Sequence, residues 1–153
     1  MGKISVGRWI AGGIVAGILV DISETVLNAV VLRGQWESAM KALGRSSSES
    51  GSAMVVWMAW GLVYGLICVW LYAAIRPRFG PGAGTALKAG FAAWLLATLL
   101  SSVGLANMGI LPSGLLTTSA VWSLVESLVA TTVGAWIYRE GETAAPAAPG
   151  ARA

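Results

Sequence analysis

The sequence predicts an all-α membrane protein, a single domain in which four transmembrane helices form a bundle. Of its 153 residues, 56% are hydrophobic and only 11% are charged, whereas soluble domains carry about 25% charged residues. Four apolar segments reach the roughly 20 residues that a helix needs to cross a hydrocarbon core of about 30 Å. Hydrophobicity within each segment is continuous rather than alternating, which favours helices over a membrane barrel.

The four predicted spans cover about residues 9–32, 53–75, 89–111 and 115–138. The first could be read as a secretory signal, but its apolar character resumes beyond Asp21 and no convincing small-residue cleavage site follows. We therefore expect a retained span. The third span is expected to stop at Pro112. The spans predict a transmembrane domain over residues 1–140, followed by an Ala- and Pro-rich tail, residues 141–153, which we expect to be disordered.

The distribution of basic residues predicts the orientation. Four spans place both termini and the second connection on one side, which carries seven Lys or Arg residues: Lys3, Arg8, Arg76, Arg78, Lys88, Arg139 and Arg152. The opposite side carries three, which are Arg33, Lys41 and Arg45. Under the positive-inside bias, both termini are expected in the cytoplasm.

The first connection is predicted to contain a short helix on the outer membrane surface. Within residues 35–45, four apolar side chains share one helical face: Trp36, Ala39, Met40 and Leu43. Glu37 and Lys41 are expected to pair at i,i+4 on the other face. We interpret this helix as an interfacial anchor, with a functional lid as the alternative. Residues 46–52 are expected to form a flexible Ser/Gly linker.

Missing residue types exclude several classes of function. The chain has no histidine, which removes the commonest general base and a common metal ligand. The single cysteine, Cys68, excludes an internal disulfide and a Cys-based metal cluster. No HExxH, CxxC or cofactor fingerprint is present, and a net charge of +3 is too small to argue nucleic-acid binding. We expect a non-enzymatic protein without catalytic residues, cofactor, metal site or nucleic-acid partner.

Three acidic residues, Asp21, Glu24 and Glu126, lie inside the predicted spans, which contain no Lys or Arg. A carboxylate at mid-bilayer costs roughly 2.5–3.5 kcal/mol on insertion scales, so these residues are candidates for proton or cation binding. Asp21 is twelve residues from Trp9, and Glu126 is twelve residues from Tyr138, which predicts a matching depth. The polar residues expected to support them are Asn28, Ser123 and Ser127.

Small residues predict how the spans pack. Gly13 and Gly17 share a face with Asp21 on the first span. Small or hydroxylated residues recur every four positions on the fourth span, at Ser119, Ser123, Ser127 and Thr131. This spacing permits close helix approach, so spans one and four are expected to pack antiparallel with their acidic faces toward each other or a shared cavity. Further close-packing faces are expected at Gly61 and Gly65 on span two and at Ala93, Ala97 and Ser101 on span three.

The first span has nearly balanced insertion energies. Its twelve Val, Ile and Leu residues favour insertion by about 4–7 kcal/mol, and two ionised acids oppose it by a similar amount. Four circumstances would relieve this cost: protonation, a bound cation, contact with water, or a basic residue of another protein.

A basic turn joins the second and third spans. It carries Arg76, Arg78 and Lys88 among several glycines, but it lacks the Gly-Lys-Ser/Thr of a phosphate-binding loop. We interpret these basic residues as contacts to lipid headgroups, with docking of a partner as the alternative.

Four stretches resemble an uncharacterised family of small bacterial four-span integral membrane proteins. They are WLYAAIRPRFGPG (70–82), QWESAM (35–40), VESL (125–128) and GAWIYRE (134–140). The resemblance implies four spans and a location in the bacterial inner membrane, and it implies no activity.

Two functional hypotheses follow. The leading one is an integral membrane protein that associates with itself or serves as an accessory subunit of a larger membrane complex, because its helices carry small-residue faces and the chain is too short to enclose a large pathway. The alternative is a small proton- or cation-coupled transporter that uses Asp21, Glu24 and Glu126.

Overall fold

A computed structural model describes residues 4–45 and 51–138, which contain helices and no strand. The helices are α1 (Val6–Val31), α2 (Arg33–Ala42), α3 (Gly51–Phe79), α4 (Ala83–Met108) and α5 (Ser113–Ile137). All but α2 are long and apolar enough to cross a membrane. The all-helical fold and the four spans are therefore confirmed, and the protein is a multi-pass membrane protein.

The helix bounds differ from the predicted spans at the connection between α3 and α4. Helix α3 continues through Pro77 to Phe79, since a proline in the last turn removes only one backbone hydrogen bond. Helix α4 begins at Ala83, before the predicted start, and includes Lys88. The ammonium of Lys88 lies 4.5 Å from the centroid of the Phe79 ring, so its charge is accommodated at the helix end.

Two other boundaries also differ from the predicted ones. Helix α4 ends at Met108 rather than at Pro112, because Gly109 adopts the left-handed conformation (φ 65°) that terminates helices. Of the predicted linker, residues 51 and 52 are helical. The rest of that linker and the predicted tail, residues 141–153, lie outside the described residues.

The four long helices form a bundle in which sequence neighbours run antiparallel. Helix α1 packs against α3 and α5, and α4 packs against the same two helices. Helices α3 and α5 run parallel across the centre, where Tyr64 pairs with Ser127 and Tyr72 with Tyr138. One end, called the terminal end, holds the start of α1, the turn between α3 and α4 and the end of α5. The other, called the α2 end, holds α2 and the turn between α4 and α5.

Glycines bring α1 into close contact with two neighbours. A Cβ atom on Gly17 would lie 2.6 Å from the Cα of Leu62 in α3, and one on Gly12 would lie 2.5 Å from the carbonyl oxygen of Gly134 in α5. Helices α1 and α5 therefore pack antiparallel as expected. However, the face that carries Gly13 and Gly17 contacts α3 and not α5, because α3 offers its own glycines, Gly61 and Gly65, to the same contact.

Burial is uneven among the helices, because Leu27, Leu32 and Leu115 are buried toward the α2 end whereas long stretches of α3 and α4 there are not. Near the terminal end, Ala16, Val69, Ala86 and Ala130 are buried together, and Tyr138 is fully buried with its ring 6.0 Å from that of Tyr72. Toward the α2 end, all of residues 54–60 in α3 are exposed, and none of residues 95–108 in α4 is buried. The small-residue face predicted on α4 is thus only partly packed, with Ala93 buried but Ala97 and Ser101 exposed.

The short helix α2 exists as predicted, and its placement at a membrane surface stays a prediction. Its residue Ala39 is buried, as is Leu32 just before it. The expected pairing of Glu37 with Lys41 is wrong. Glu37 instead accepts from Arg33 at 3.0 Å, an exposed i,i+4 pair that contributes little to stability.

Candidate functional site

Asp21 lies where α1 crosses α3. Its side chain is half-buried and sits against Gly61, where even a single Cβ atom would collide with the carboxylate. Gly61 is the buried residue of α3 closest to the α2 end, and the exposed segment 54–60 begins beside it. The carboxylate of Asp21 therefore lies at the point where α3 stops packing against the bundle.

Glu24 is held by a chain of hydrogen bonds that reaches α2. The amide nitrogen of Asn28 donates to Glu24 Oε2 at 2.7 Å and to the Glu24 carbonyl at 2.9 Å, and the indole of Trp36 donates to Asn28 Oδ1 at 2.8 Å. Asn28 belongs to a π-helical turn, Leu27–Val31, which ends α1. Such turns occur frequently at functional sites, because they redirect the side chains that follow.

Glu126 projects from α5 toward α1. It is 8% exposed, and its Oε2 atom is buried without a hydrogen-bond partner. The hydroxyl of Ser23 lies near this carboxylate, and the same hydroxyl accepts a hydrogen bond of 2.9 Å from the indole of Trp122. Asp21 and Glu24 lie on either side of Ser23 in α1, and Trp122 lies one turn before Glu126 in α5. The structure thus brings the three candidate acids into one region, called the acidic cluster.

The two serines expected to support the acids have other partners. Ser127 is fully buried, donates to the carbonyl of Gly90 at 2.8 Å, and lies 2.8 Å from the hydroxyl of Tyr64. Ser123 donates to the Ala120 carbonyl at 3.2 Å in its own helix. Ser127 therefore ties α3, α4 and α5 together rather than binding a carboxylate. Asn28 is the predicted supporting residue that contacts an acid.

The sequence did not connect four residues with the acids: Ser23, Trp36, Trp122 and Gly61. The two tryptophans are the residues a sequence could have indicated, because a buried or half-buried indole N–H needs an acceptor. Nothing in the spacing of residues showed that Ser23 would face Glu126, since it lies off the face that carries Asp21 and Glu24.

The described residues provide no ion-pair partner for the acidic cluster. Within residues 4–45 and 51–138, none of the three acids forms an ion pair with Lys or Arg. Over the same residues, no group of three Cys, Asp or Glu side chains is placed to hold a metal ion. The arrangement can exchange protons, or it can accept a cationic group that contacts one or two carboxylates at a time.

The basic residues that we expect to contact lipid headgroups or a partner lie at the terminal end. Arg78 and Lys88 are exposed and Arg76 is half-buried. The connection between α3 and α4 is fixed by hydrogen bonds from Thr85 Oγ1 to the Gly80 carbonyl at 2.7 Å and from the Gly82 amide to the Tyr72 hydroxyl at 3.3 Å. These basic side chains thus lie on the helix ends that flank an ordered turn, at the opposite end from α2.

A second feature adjoins the acidic cluster. Residues 54–60 of α3 and 95–108 of α4, together called the open flank, carry no buried residue on any side. Helix α4 leaves the core just after Trp94, which is buried and donates from its indole to the Ala120 carbonyl at 2.9 Å. A π-helical turn, Leu95–Leu99, follows directly. The open flank therefore begins at a local break in α4 and next to Asp21 on α3.

A shallow groove lies between α2 and the turn that joins α4 to α5. Its volume is about 360 Å³, and its lining includes Ser38, Ala39 and Pro112. None of the three acids lines it, so the groove and the acidic cluster are separate features.

Comparisons of the chain with protein-family models, with curated proteins and with solved structures find no match.

Proposed function

We propose that the protein is a non-enzymatic membrane subunit that binds another transmembrane helix along its open flank. The observation that carries this proposal is the exposure of every residue from 54 to 60 in α3. Successive residues of a helix point to different sides, so no side of this segment is buried against its own chain. A helix that is apolar all round is ordinarily surrounded by other helices or by lipid.

The polar and small residues of α4 favour a helix over lipid. Apolar area alone does not drive helix association in a bilayer, whereas small residues and side-chain hydrogen bonds do. The open flank exposes Ala97, Ser101 and Gly104, and Asn107 lies exposed near its end. Hydroxyl and amide groups that face lipid without a hydrogen-bond partner cost free energy. A second helix would supply hydrogen-bond partners for these groups and would pack against the small residues.

Gly104→Leu tests this proposal. A Cβ atom at Gly104 meets nothing within 4 Å in its own chain, so the variant should fold normally while blocking close approach of a partner helix. We expect Gly104→Leu to lower self-association or recovery of the native partner about tenfold in mild detergent, a change of about 1.4 kcal/mol. Gly7→Leu is the matched control, because Gly7 is also exposed with open space around it. The proposal would be refuted if both variants associated as strongly as the unmodified protein does.

A second function is favoured by one observation at Glu126. Its buried, unpartnered Oε2 is suited to a carboxyl group that gains and loses a proton or a cation during transport. A coupled transporter should show gradient-dependent flux in liposomes that Glu126→Gln abolishes, while Glu37→Gln, at the exposed acid of α2, leaves flux unchanged. Absence of flux under proton and sodium gradients alike would remove this alternative.

A further inference from the structure

We propose that the helix received by the open flank carries a basic side chain, Lys or Arg, which forms an ion pair with the acidic cluster. This inference rests on the proposed function and specifies the chemistry of the partner. It starts from an imbalance of charge. The hydrogen bond from Trp122 to Ser23 joins the part of α5 that carries Glu126 to the part of α1 that carries Asp21 and Glu24, and no Lys or Arg of the described residues pairs with these acids.

Glu126 supplies a second observation. It is 8% exposed, and its Oε2 has no hydrogen-bond partner, although most buried polar atoms in folded proteins have one. Ser23 and Trp122 occupy the side of the cluster near α1 and α5. One strong acceptor thus remains unsatisfied beside two further carboxylates, and a group with several N–H donors is what this arrangement lacks.

Access to the cluster comes from the open flank. The Asp21 carboxylate lies against Gly61, directly beside the exposed segment 54–60. Glu24 lies about one turn nearer the α2 end, at the level of that segment. A helix seated on the open flank would therefore pass next to both half-buried carboxylates. Near the terminal end the close contact between Gly12 and Gly134 leaves no comparable approach.

The chemistry favours a side chain over a free metal ion. A bound cation needs several oxygen ligands that converge on one point, and no such group of three exists within residues 4–45 and 51–138. Lys and Arg carry their charge on long apolar stems, so they can lie along the open flank and reach a carboxylate below it. Pairing would also offset the free-energy cost of a basic residue at the centre of a transmembrane helix.

The experiment uses three designed probes with the full-length protein in lipid nanodiscs. The probes are fluorescent poly-leucine transmembrane helices that differ at one central residue, which is Lys, Leu or Asp. Binding is measured by energy transfer to a dye on the protein. We expect the Lys helix to bind at least about tenfold more tightly than the Leu helix, and the Asp helix to bind most weakly.

Charge variants of the protein then test whether the acidic cluster causes the preference for the Lys helix over the Leu helix. Glu24→Gln and Asp21→Asn each should reduce the preference for Lys over Leu, and the double variant should abolish it. Glu24→Lys should reverse the preference in favour of the Asp helix, a gain that a merely misfolded protein would not show. Glu37→Gln is the control and should preserve the full preference.

The outcomes separate this inference from the proposed function. Gly104→Leu should weaken binding of the Lys and Leu helices alike, whereas acid variants should affect only the Lys helix. Equal binding of the Lys and Leu helices, with both weakened by Gly104→Leu, would overturn the ion pair and leave the docking surface intact. Binding of neither helix, or binding that Gly104→Leu does not change, would overturn both.

Discussion

At the scale of single residues, the contact between Asp21 and Gly61 links packing to the acidic cluster. The carboxylate occupies the space that a side chain at position 61 would fill. Glycine at this position therefore serves two purposes, since it lets α1 approach α3 and leaves room for an acid at their crossing. The position of Asp21 beside the open flank depends on this single missing Cβ atom.

A double-mutant cycle tests that dependence. Gly61→Ala should lower the free energy of unfolding, because the new methyl group must displace the Asp21 carboxylate, at a cost of about 1–3 kcal/mol for overpacking. In an Asp21→Ala background the same change should cost little, since the space is then empty. Unfolding by SDS titration measures both. Additive effects of the two substitutions would show that the carboxylate does not occupy this space.

The acids themselves could be predicted from the sequence, but their partners could not. Charged residues in apolar spans are recognisable by contrast with their surroundings, and residue counting placed Asp21 and Glu126 at similar depth. Ser127 was expected to support the acids, yet it binds Gly90 and Tyr64. A periodic pattern identifies which residues share a helix face, and it does not identify the helix that this face contacts.

At the scale of elements, α2 is joined to the acidic cluster rather than merely lying beside it. The hydrogen bonds from Trp36 to Asn28 and from Asn28 to Glu24 form a continuous path between the two. The π-helical turn Leu27–Val31 places Asn28 between them. A substitution at Glu24 should therefore change the stability of α2.

Trp36→Phe tests this link. Loss of the indole donor leaves Asn28 Oδ1 without its partner and should increase amide hydrogen exchange in α2 several-fold, while burial of Leu32 and Ala39 keeps the helix formed. Hydrogen exchange with mass spectrometry in nanodiscs measures the change. Trp57→Phe, at an exposed indole of α3, is the control and should leave α2 unchanged. Unaltered exchange in Trp36→Phe would mean that the hydrogen bond does not hold α2.

The number of helices could be predicted from the sequence, but the contacts between them could not. Span number followed from hydropathy, because length and apolar content alone decide it. The assignment of Gly13 and Gly17 to α5 was wrong, since nearly uniform hydrophobicity gives a membrane helix no preferred face. Exposure of residues 54–60 was equally invisible in the sequence, because apolar residues in lipid and apolar residues in a core look alike.

At the scale of the whole molecule, the four long helices pack together near the terminal end, whereas toward the α2 end parts of α3 and α4 carry no buried residue. The terminal end is closed by glycine contacts and by the rings of Tyr72 and Tyr138. Toward the α2 end, parts of α3 and α4 carry no buried residue, and the three acids nearby pair with no Lys or Arg of the described residues. The proposed docking of a helix and the proposed ion pair therefore concern the same region, which has both an exposed apolar surface and unpaired carboxylates.

Oxygen accessibility of a nitroxide label tests most directly whether the open flank is covered by protein. The label is placed through a single cysteine at Val103 in the open flank or at Val129 on α5, in a Cys68→Ser background, and measured in membrane discs extracted with their native lipid and neighbours. Both positions are exposed in the single chain, at 57% and 53%. We predict that Val103 is several-fold less accessible to oxygen than Val129, because a helix covers it. Equal accessibility at the two positions would show that lipid fills the open flank and would contradict the account.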